Sequence, residues 1–210
     1  MIDPTEVIYI TDTDNFAEYL CGKRTIVVAN SSKLLDHEYG EFIDGHDVVI
    51  RFNAFRIVPK HTGSKTSIHA TIFLPVDCYD VECDYRVIYA PEYKLWTMGT
   101  THFSPDKQKY VLGYVDAGAV GLFEGYPPSP MAPSTGFFIL SLLDRLCDGG
   151  EVNLIGFTFY ENGVIDLFRL NPDVTEIYDN HAYTYEKDWV NKRFASHATD
   201  ENIKTRCPKK

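Results

Sequence analysis

Basic residues are scarce in this sequence, and it contains no long hydrophobic run. Its 20 lysines and arginines stand against 30 acidic residues, which gives a formal net charge of −10 at pH 7. Nucleic acids and anionic membranes bind to basic surfaces, so we expect neither as a partner. No apolar run is as long as a membrane-spanning helix, which needs roughly 18 residues. An anionic ligand would therefore have to be held by local groups.

Cysteine is also rare. The five cysteines are an odd number and lack the dense spacing of a disulfide scaffold, which favours a reducing compartment. Residues 1–6 contain neither the basic nor the apolar segment of a secretory leader. We therefore expect a soluble, cytoplasmic protein without a membrane anchor.

The 210 residues predict one globular α/β domain, residues 1–210. A β-branched apolar run at residues 25–29 is followed by a polar turn, by apolar residues at helical spacing up to Ile43, and by a second strand at residues 47–53. This is the pattern of a βαβ unit, which indicates a parallel sheet. Further strands are predicted at residues 7–10, 67–73, 86–90, 110–115 and 152–156, and helices at residues 14–20 and 185–194. We expect a mostly parallel, twisted sheet of six or seven strands flanked by helices.

The most apolar helical stretch follows Pro133. Pro133 disfavours helix for the residue before it, and Ser134 or Thr135 can cap the first turn. The apolar residues that follow predict a helix buried on most sides. Gly136 lets a ligand approach the backbone, and the amino-terminal end of a helix attracts anions. The stretch is thus either an anion-binding helix terminus or an ordinary capped core helix.

Polar turns follow two of the predicted strands. Asn30 and Ser31 come after the strand at residues 25–29, and Asn53 ends the next one. Ligands of open parallel sheets bind at the carboxyl ends of strands, where an asparagine side chain can donate and accept hydrogen bonds. Each asparagine alone is typical of a turn, whereas the two together with the capped helix fit a ligand site as well as they fit ordinary turns. The Gly- and Pro-rich residues 118–133 are a candidate lid or substrate loop.

These segments resemble the sequence motifs of one enzyme family, the animal-type sialyltransferases. Residues 27–66 are similar to the large sialylmotif, including Asn30-Ser31-Ser32, Arg51-Phe52-Asn53 and Gly63-Ser64-Lys65-Thr66. Residues 133–157 are similar to the small sialylmotif. His181, with Glu186 five positions later, matches the very short motif. The three motifs occur in the family's order and spacing.

The resemblance implies an inverting transfer of sialic acid from CMP-sialic acid to a hydroxyl of an acceptor glycan. It also implies a single Rossmann-like domain, a variant of the glycosyltransferase A architecture, that works without a metal or another cofactor. The partners would be the CMP-sugar donor and the glycan acceptor. The phosphate leaving group has a low pKa and departs without an acid catalyst, and a neutral histidine can take the acceptor's proton.

The resemblance also assigns roles to single residues. Asn30 and Asn53, with Ser31 beside them, would contact the phosphate and ribose of CMP. Ser134, Thr135 and Gly136 would hold the nucleotide or the sugar carboxylate. Gly156 would lie against the cytosine. His181 would be the general base, and Glu186 would support the motif that carries it.

The chain departs from the family's pattern at several positions. Ala29 and Ser32 stand where the family has glycines, and Thr25 replaces the cysteine that usually pairs with Cys147. A disulfide between Cys21 and Cys147 is an open alternative. The family's third motif has a histidine about sixteen residues before the base, but residues 157–180 contain none. Arg169 is the best electrostatic substitute, with the tyrosines at 160 and 178 as alternatives.

Three other interpretations remain open. CMP-linked 3-deoxy-manno-octulosonate shares the nucleotide and the anomeric carboxylate, so it is an alternative donor. The missing third-motif histidine would also suit a nucleotide- or glycan-binding module that has lost turnover. Another Rossmann-like enzyme is a third alternative, although no G-x-G-x-x-G follows Ala29. Asp12-Thr13-Asp14 is interpreted as a helix cap rather than a metal site.

Overall fold

The structure is a computed structural model. It describes residues 8–9, 15–53, 55–71, 81–88, 111–114, 125–127, 133–147, 150–159, 181–197 and 199–206. Arg169 and the tyrosines at 160 and 178 lie outside these ranges, as does the Asp12-Thr13-Asp14 motif.

Nine strands in the described part of the chain form one sheet. They are β1 (Ile8–Tyr9), β2 (Thr25–Val28), β3 (Val48–Phe52), β4 (Ile68–Thr71), β5 (Tyr85–Ile88), β6 (Val111–Tyr114), β7 (Val152–Ile155), β8 (Phe194–Ser196) and β9 (Ile203–Arg206). Their spatial order is β1-β6-β5-β4-β3-β2-β7-β9-β8. All pairings from β1 to β7 are parallel, and β9 pairs antiparallel with both β7 and β8. The predicted mostly parallel sheet is confirmed.

The sheet has two strands more than the six or seven expected from the sequence. The strands β8 and β9 were missed because they lack the continuous apolar runs that mark the inner strands. Two of the three residues of β8 are exposed, and three of the four residues of β9 are only partly buried. Such end strands read as polar loops when only hydrophobicity is considered.

Five α-helices and one 3₁₀ helix accompany the described strands. They are α1 (Asn15–Leu20), α2 (Gly40–Asp44), α3 (Pro59–Thr62), α4 (Thr135–Leu146), α5 (Tyr183–Arg193) and the 3₁₀ helix Ser32–Asp36. The longest, α4, has 12 residues. No helix in the described ranges is long and apolar enough to cross a bilayer.

The prediction of a single helix up to Ile43 in the β2–β3 crossover was wrong. The crossover contains the 3₁₀ helix and the separate helix α2. The Oγ atom of Ser31 accepts a hydrogen bond from the Lys33 backbone N at 3.1 Å, which starts the 3₁₀ turn. Helix α2 begins at Gly40, where an added Cβ would lie 2.0 Å from the Pro59 carbonyl oxygen. The first residue of α2 therefore has to be glycine for α3 to pack this closely against it.

The order of the strands reverses at β2. From β2 the chain proceeds through β3, β4, β5 and β6 on one side, whereas β7 pairs on the other side. The carboxyl ends of β2 and β7 therefore form a topological switch point, the place where open α/β sheets bind ligands. Strands β2 and β7 are buried at every residue.

The core lies on both faces of the sheet. On one face, Phe138 and Leu142 of α4 pack in the same cluster as Val27 of β2. On the other face, Ile26 of β2 packs with Leu34 of the 3₁₀ helix. Burying such a side chain stabilises the fold by about 1.5–3 kcal/mol. A parallel sheet covered on both faces explains why its strands read as continuous apolar runs.

Candidate functional site

Three site residues predicted from the sequence follow three adjacent strands at the switch point. Asn30 follows β2, Asn53 follows β3 and Gly156 follows β7. The side-chain Nδ2 of Asn30 donates a hydrogen bond to the backbone oxygen of Phe52 at 3.1 Å. The carboxyl end of β2 is thereby joined directly to that of β3, next to Asn53.

Asn53 has an unusual backbone conformation. Its φ angle is +54°, in the left-handed region that residues other than glycine rarely adopt. Its side-chain Oδ1 is buried and has no hydrogen-bond partner among the described residues. An unpaired buried acceptor is costly unless a ligand supplies a donor. The combination of strain and an unpaired acceptor is typical of a binding residue.

His69 of β4 contacts Asn53 from the other side. Its Nε2 lies 2.8 Å from the Asn53 backbone oxygen. A carbonyl oxygen can only accept, so Nε2 carries the proton in this contact. The side chain of His69 is fully buried, which together with the positive charge of Arg86 lowers its pKa to about 4. The imidazole is therefore neutral at physiological pH.

The amino-terminal end of α4 is occupied by a carboxylate of the same chain. Ser134 is the N-cap, and its Oγ accepts from the Phe137 backbone N at 3.1 Å. The same Oγ donates to Glu186 Oε2 at 2.6 Å, and the Ser134 backbone N donates to Glu186 Oε1 at 2.9 Å. Glu186 is only 2% exposed. The single proton of the Ser134 hydroxyl is therefore used within the protein.

The contact between Ser134 and Glu186 places His181 near the start of α4. Glu186 lies in the first turn of α5, which begins two residues after His181. His181 is half-buried, and its ring centroid lies 5.5 Å from that of Tyr183. The very short motif and the small motif are thus joined in space.

Tyr126 also belongs to this junction, and the sequence analysis missed it. Its hydroxyl donates to Glu186 Oε1 at 2.9 Å and accepts from the Ala182 backbone N at 3.0 Å. The signal that could have found Tyr126 is its place inside the Gly- and Pro-rich residues 118–133. A lone tyrosine there, in a chain with 14 tyrosines, was not distinctive.

The first turn of α4 packs closely against the ends of β3 and β7. A Cβ added to Gly136 would lie 3.3 Å from the ring of Phe52 and 3.4 Å from the ring of Phe157. These two rings precede Asn53 and follow Gly156, with their centroids 6.0 Å apart. Gly136 is therefore the point at which the small motif meets the large motif.

The remaining predicted residues have the following positions. Ser31 is buried and caps the 3₁₀ helix, and Thr135 is buried in the first turn of α4. Cys21 and Cys147 are both free thiols, so no substitute bridge joins them in this structure. Within the described residues, no cluster of three or more His, Cys, Asp or Glu could hold a metal ion.

This arrangement defines an open, mostly parallel α/β protein whose candidate site residues lie at the switch point, the place where such sheets bind ligands. Residues 10–76, about a third of the chain, match the family model "Glycosyltransferase family 29 (sialyltransferase)". A search of curated proteins finds no match.

Two solved structures of mammalian sialyltransferases resemble the chain. One, in complex with Gal-beta-1-3GalNAc-ortho-nitrophenol, has 22% sequence identity and a TM-score of 0.55. The other has 21% identity and a TM-score of 0.54. Each match covers 81% of this chain and 65% of the solved chain, so this chain spans just under two thirds of their length. At this identity the likeness shows the fold. The family-model match links residues 10–76 to the sialyltransferase family.

Proposed function

We propose that the protein is a sialyltransferase-type glycosyltransferase that moves sialic acid from CMP-sialic acid to a hydroxyl of an acceptor glycan. One observation carries the proposal: residues of all three motifs meet at one end of the sheet. The Ser134–Glu186 contact joins the small and very short motifs, and the packing of Gly136 against Phe52 joins the small and large motifs. Motif matches that had arisen by chance would not be expected to lie together at one end of the sheet.

The nucleotide would bind at the switch point. In this proposal Asn30 and Asn53 contact the phosphate and ribose of CMP, and Gly156 lies against the cytosine. The unpaired Oδ1 of Asn53 suits a ribose hydroxyl, which can donate a hydrogen bond to it. Thr135 and Gly136 present the first turn of α4 to the anionic groups of the donor. Ser134, whose proton goes to Glu186, orients that carboxylate.

The proposed reaction is an inverting displacement without a metal. The acceptor oxygen attacks the anomeric carbon from the face opposite the phosphate, and the bond from that carbon to the phosphate oxygen breaks. His181 takes the acceptor's proton, a contribution of about 10²- to 10⁴-fold in rate. Glu186 accepts from Ser134 at the start of α4, so in this proposal the backbone N–H groups of Thr135 and Gly136 stabilise the charge that develops on the departing CMP. Arg169 remains the proposed substitute for the third-motif histidine.

Two alternatives share the same crevice. CMP-3-deoxy-manno-octulosonate presents the same nucleotide and an anomeric carboxylate, so it is the alternative donor. A binding module without turnover is favoured by one sequence observation, the lack of histidine in residues 157–180. The glycosyltransferase A-like variant of the Rossmann fold and a cytoplasmic location are part of the main proposal.

Calorimetric titration with CMP in the absence of metal tests the nucleotide site. Asn53→Gly removes the side-chain amide but tolerates the φ of +54°, so this variant should fold and bind CMP about tenfold more weakly or worse. Asn53→Ala should lose both binding and stability. Asn191→Ala is the matched control, because Asn191 is exposed on α5 and accepts from Lys204.

A donor-hydrolysis assay then separates the alternatives. Turnover of CMP-sialic acid that is lost in His181→Ala would support the transferase, and preference for the octulosonate donor would select the alternative sugar. CMP binding without turnover of either donor, also in an acceptor screen, would favour the binding module. A wild-type protein that does not bind CMP would contradict the nucleotide site altogether.

A further inference from the structure

The hydroxyl of Tyr126 joins the Gly- and Pro-rich segment to the start of α5. It donates to Glu186 Oε1 at 2.9 Å and accepts from the Ala182 backbone N at 3.0 Å. The Tyr126 ring packs against two other aromatic rings, with centroid distances of 5.3 Å to Phe137 of α4 and 5.3 Å to Tyr185 of α5. The hydroxyl therefore lies between the residue after His181 and the carboxylate at the start of α4.

The direction of these hydrogen bonds is determined by chemistry. A backbone N–H can only donate, so the Tyr126 oxygen is the acceptor for Ala182. Its own proton is then available to Glu186, whose two oxygens also receive the backbone N–H and the hydroxyl of Ser134. Removal of the Tyr126 oxygen would leave two partly buried groups, the Ala182 N–H and one Glu186 acceptor site, each short of a partner.

Helix α5 begins without a side-chain cap. Ala182 occupies the N-cap position and makes no side-chain capping hydrogen bond, since alanine has no side-chain oxygen to accept from the following backbone N–H groups. Tyr126 binds a different group, the backbone N–H of Ala182 itself. This contact holds the backbone of the N-cap residue, and His181 is the residue immediately before it.

We propose that Tyr126 is a positioning residue that sets the position of His181 relative to the amino-terminal end of α4. The inference rests on the proposed function, in which His181 is the general base. Displacing a base by about 1 Å is enough to reduce the rate about 10²-fold while ground-state binding changes little. Tyr126 touches neither donor nor acceptor in this proposal and acts through Ala182 and Glu186.

The variant Tyr126→Phe tests the inference, because it removes one oxygen and keeps the ring contacts. We expect kcat for sialyl transfer to fall about 10- to 100-fold, with the KM for CMP-sialic acid within about threefold of wild type. The pH at which the rate reaches half its maximum should move. In the ligand-free protein, the NMR titration of the His181 Cε1–H should also shift, a readout that does not depend on turnover.

Tyr39→Phe is the matched control. The Tyr39 ring is buried, and its hydroxyl accepts from Asn202 Nδ2 at 3.0 Å and hydrogen-bonds the Asp200 carboxylate, so the variant removes a comparable pair of contacts elsewhere. We expect a similar loss of stability in urea unfolding without a change in kcat or in the His181 titration. In the wild-type protein, the Ala182 amide should be protected from hydrogen exchange.

The two proposals fail in different ways. Equal kcat losses in Tyr126→Phe and Tyr39→Phe, with an unchanged His181 titration, would overturn the positioning role while leaving His181 as the base. An unprotected Ala182 amide in the wild type would also overturn it. Full activity of His181→Ala would instead refute the proposed function. The NMR titration would then still report whether Tyr126 determines the environment of His181.

Discussion

His69 shows how burial changes the chemistry of one residue. Its side chain is fully buried on β4, in register with Arg51 of β3 and Arg86 of β5. Burial, followed by the charge of Arg86, lowers its pKa to about 4, whereas an unfolded histidine titrates near 6.5. The neutral ring keeps its Nε2 proton for the Asn53 carbonyl, and the neighbouring Arg86 guanidinium group opposes protonation of the ring.

This pKa predicts an acid-dependent loss of stability. Between pH 6.5 and 4 the unfolded chain binds a proton that folded His69 does not. The contribution of neutral His69 to the free energy of unfolding is therefore complete above pH 6.5. It declines as the pH falls and is lost below the folded pKa of about 4. The full effect is about 3 kcal/mol. Urea unfolding at a series of pH values should show this slope in the wild type.

The control for this prediction is His69→Gln. A glutamine amide can donate to the Asn53 oxygen but does not titrate, so the variant should have a shallower slope over the same pH window. Part of the slope should remain in His69→Gln, because burial also lowers the pKa of His46. An identical pH dependence in wild type and His69→Gln would contradict the assignment.

Gly156 is a residue at which only glycine fits. Its φ is +76°, and an added Cβ would lie 3.0 Å from two carbons of the Leu34 side chain. Gly156→Ala should therefore lose about 1–3 kcal/mol of unfolding free energy, part from backbone strain and part from displacing Leu34. Gly22→Ala is the matched control, because Gly22 has φ +69° with nothing within 4 Å. Equal losses in the two variants would show that Leu34 plays no part.

At the scale of elements, α4 is held at both ends by side chains distant in sequence. Glu186 occupies its amino-terminal end. At its carboxyl-terminal end, the guanidinium group of Arg206 donates to the backbone oxygens of Asp144 and Cys147 and to Asp144 Oδ1. The polarity of each group matches the helix dipole at its end.

The carboxyl-terminal contacts predict unequal effects for two arginines. The Arg206 side chain is only 7% exposed, so Arg206→Ala should cost about 2–3 kcal/mol by removing three charge-assisted hydrogen bonds to part-buried oxygens. Arg193 also pairs with Asp144, at 3.4 Å, but its side chain is 39% exposed, and Arg193→Ala should cost less than about 1 kcal/mol. Chemical denaturation of both variants measures the difference. Comparable losses would argue against a capping role for Arg206.

At the scale of the whole molecule, the sheet is expected to be most stable at its centre. Strand β2 is buried at all four residues and is paired on both sides, by β3 and β7. Strand β8 is the last strand of the described sheet and exposes two of its three residues. Amides in β2 should exchange only through global unfolding, whereas those in β8 should exchange faster through local opening. Native-state hydrogen exchange checks this order, and equal rates would contradict it.

Much of the fold could be predicted from the sequence because its signals are local. The continuous apolar run of β2 and the Ser134 cap of α4 follow from adjacent residues, and both predictions are confirmed. The break between the 3₁₀ helix and α2 could not be predicted, because it depends on the Pro59 carbonyl against Gly40. Tyr126 was missed for the same reason, since its partners lie 56 and 60 residues away.

The sequence by itself determined the order of strands β1 to β7, the helices α1, α4 and α5, and the motif residues beside them, because periodicity, capping and motif spacing act along the chain. Only the tertiary structure decided how those residues are used. It assigns the Ser134 proton to Glu186, couples Ala182 to Tyr126, and holds Asn53 in a left-handed conformation with His69 on its carbonyl oxygen. These contacts join residues 16 to 56 positions apart, and a hydrogen bond over such a separation leaves no local pattern in the sequence.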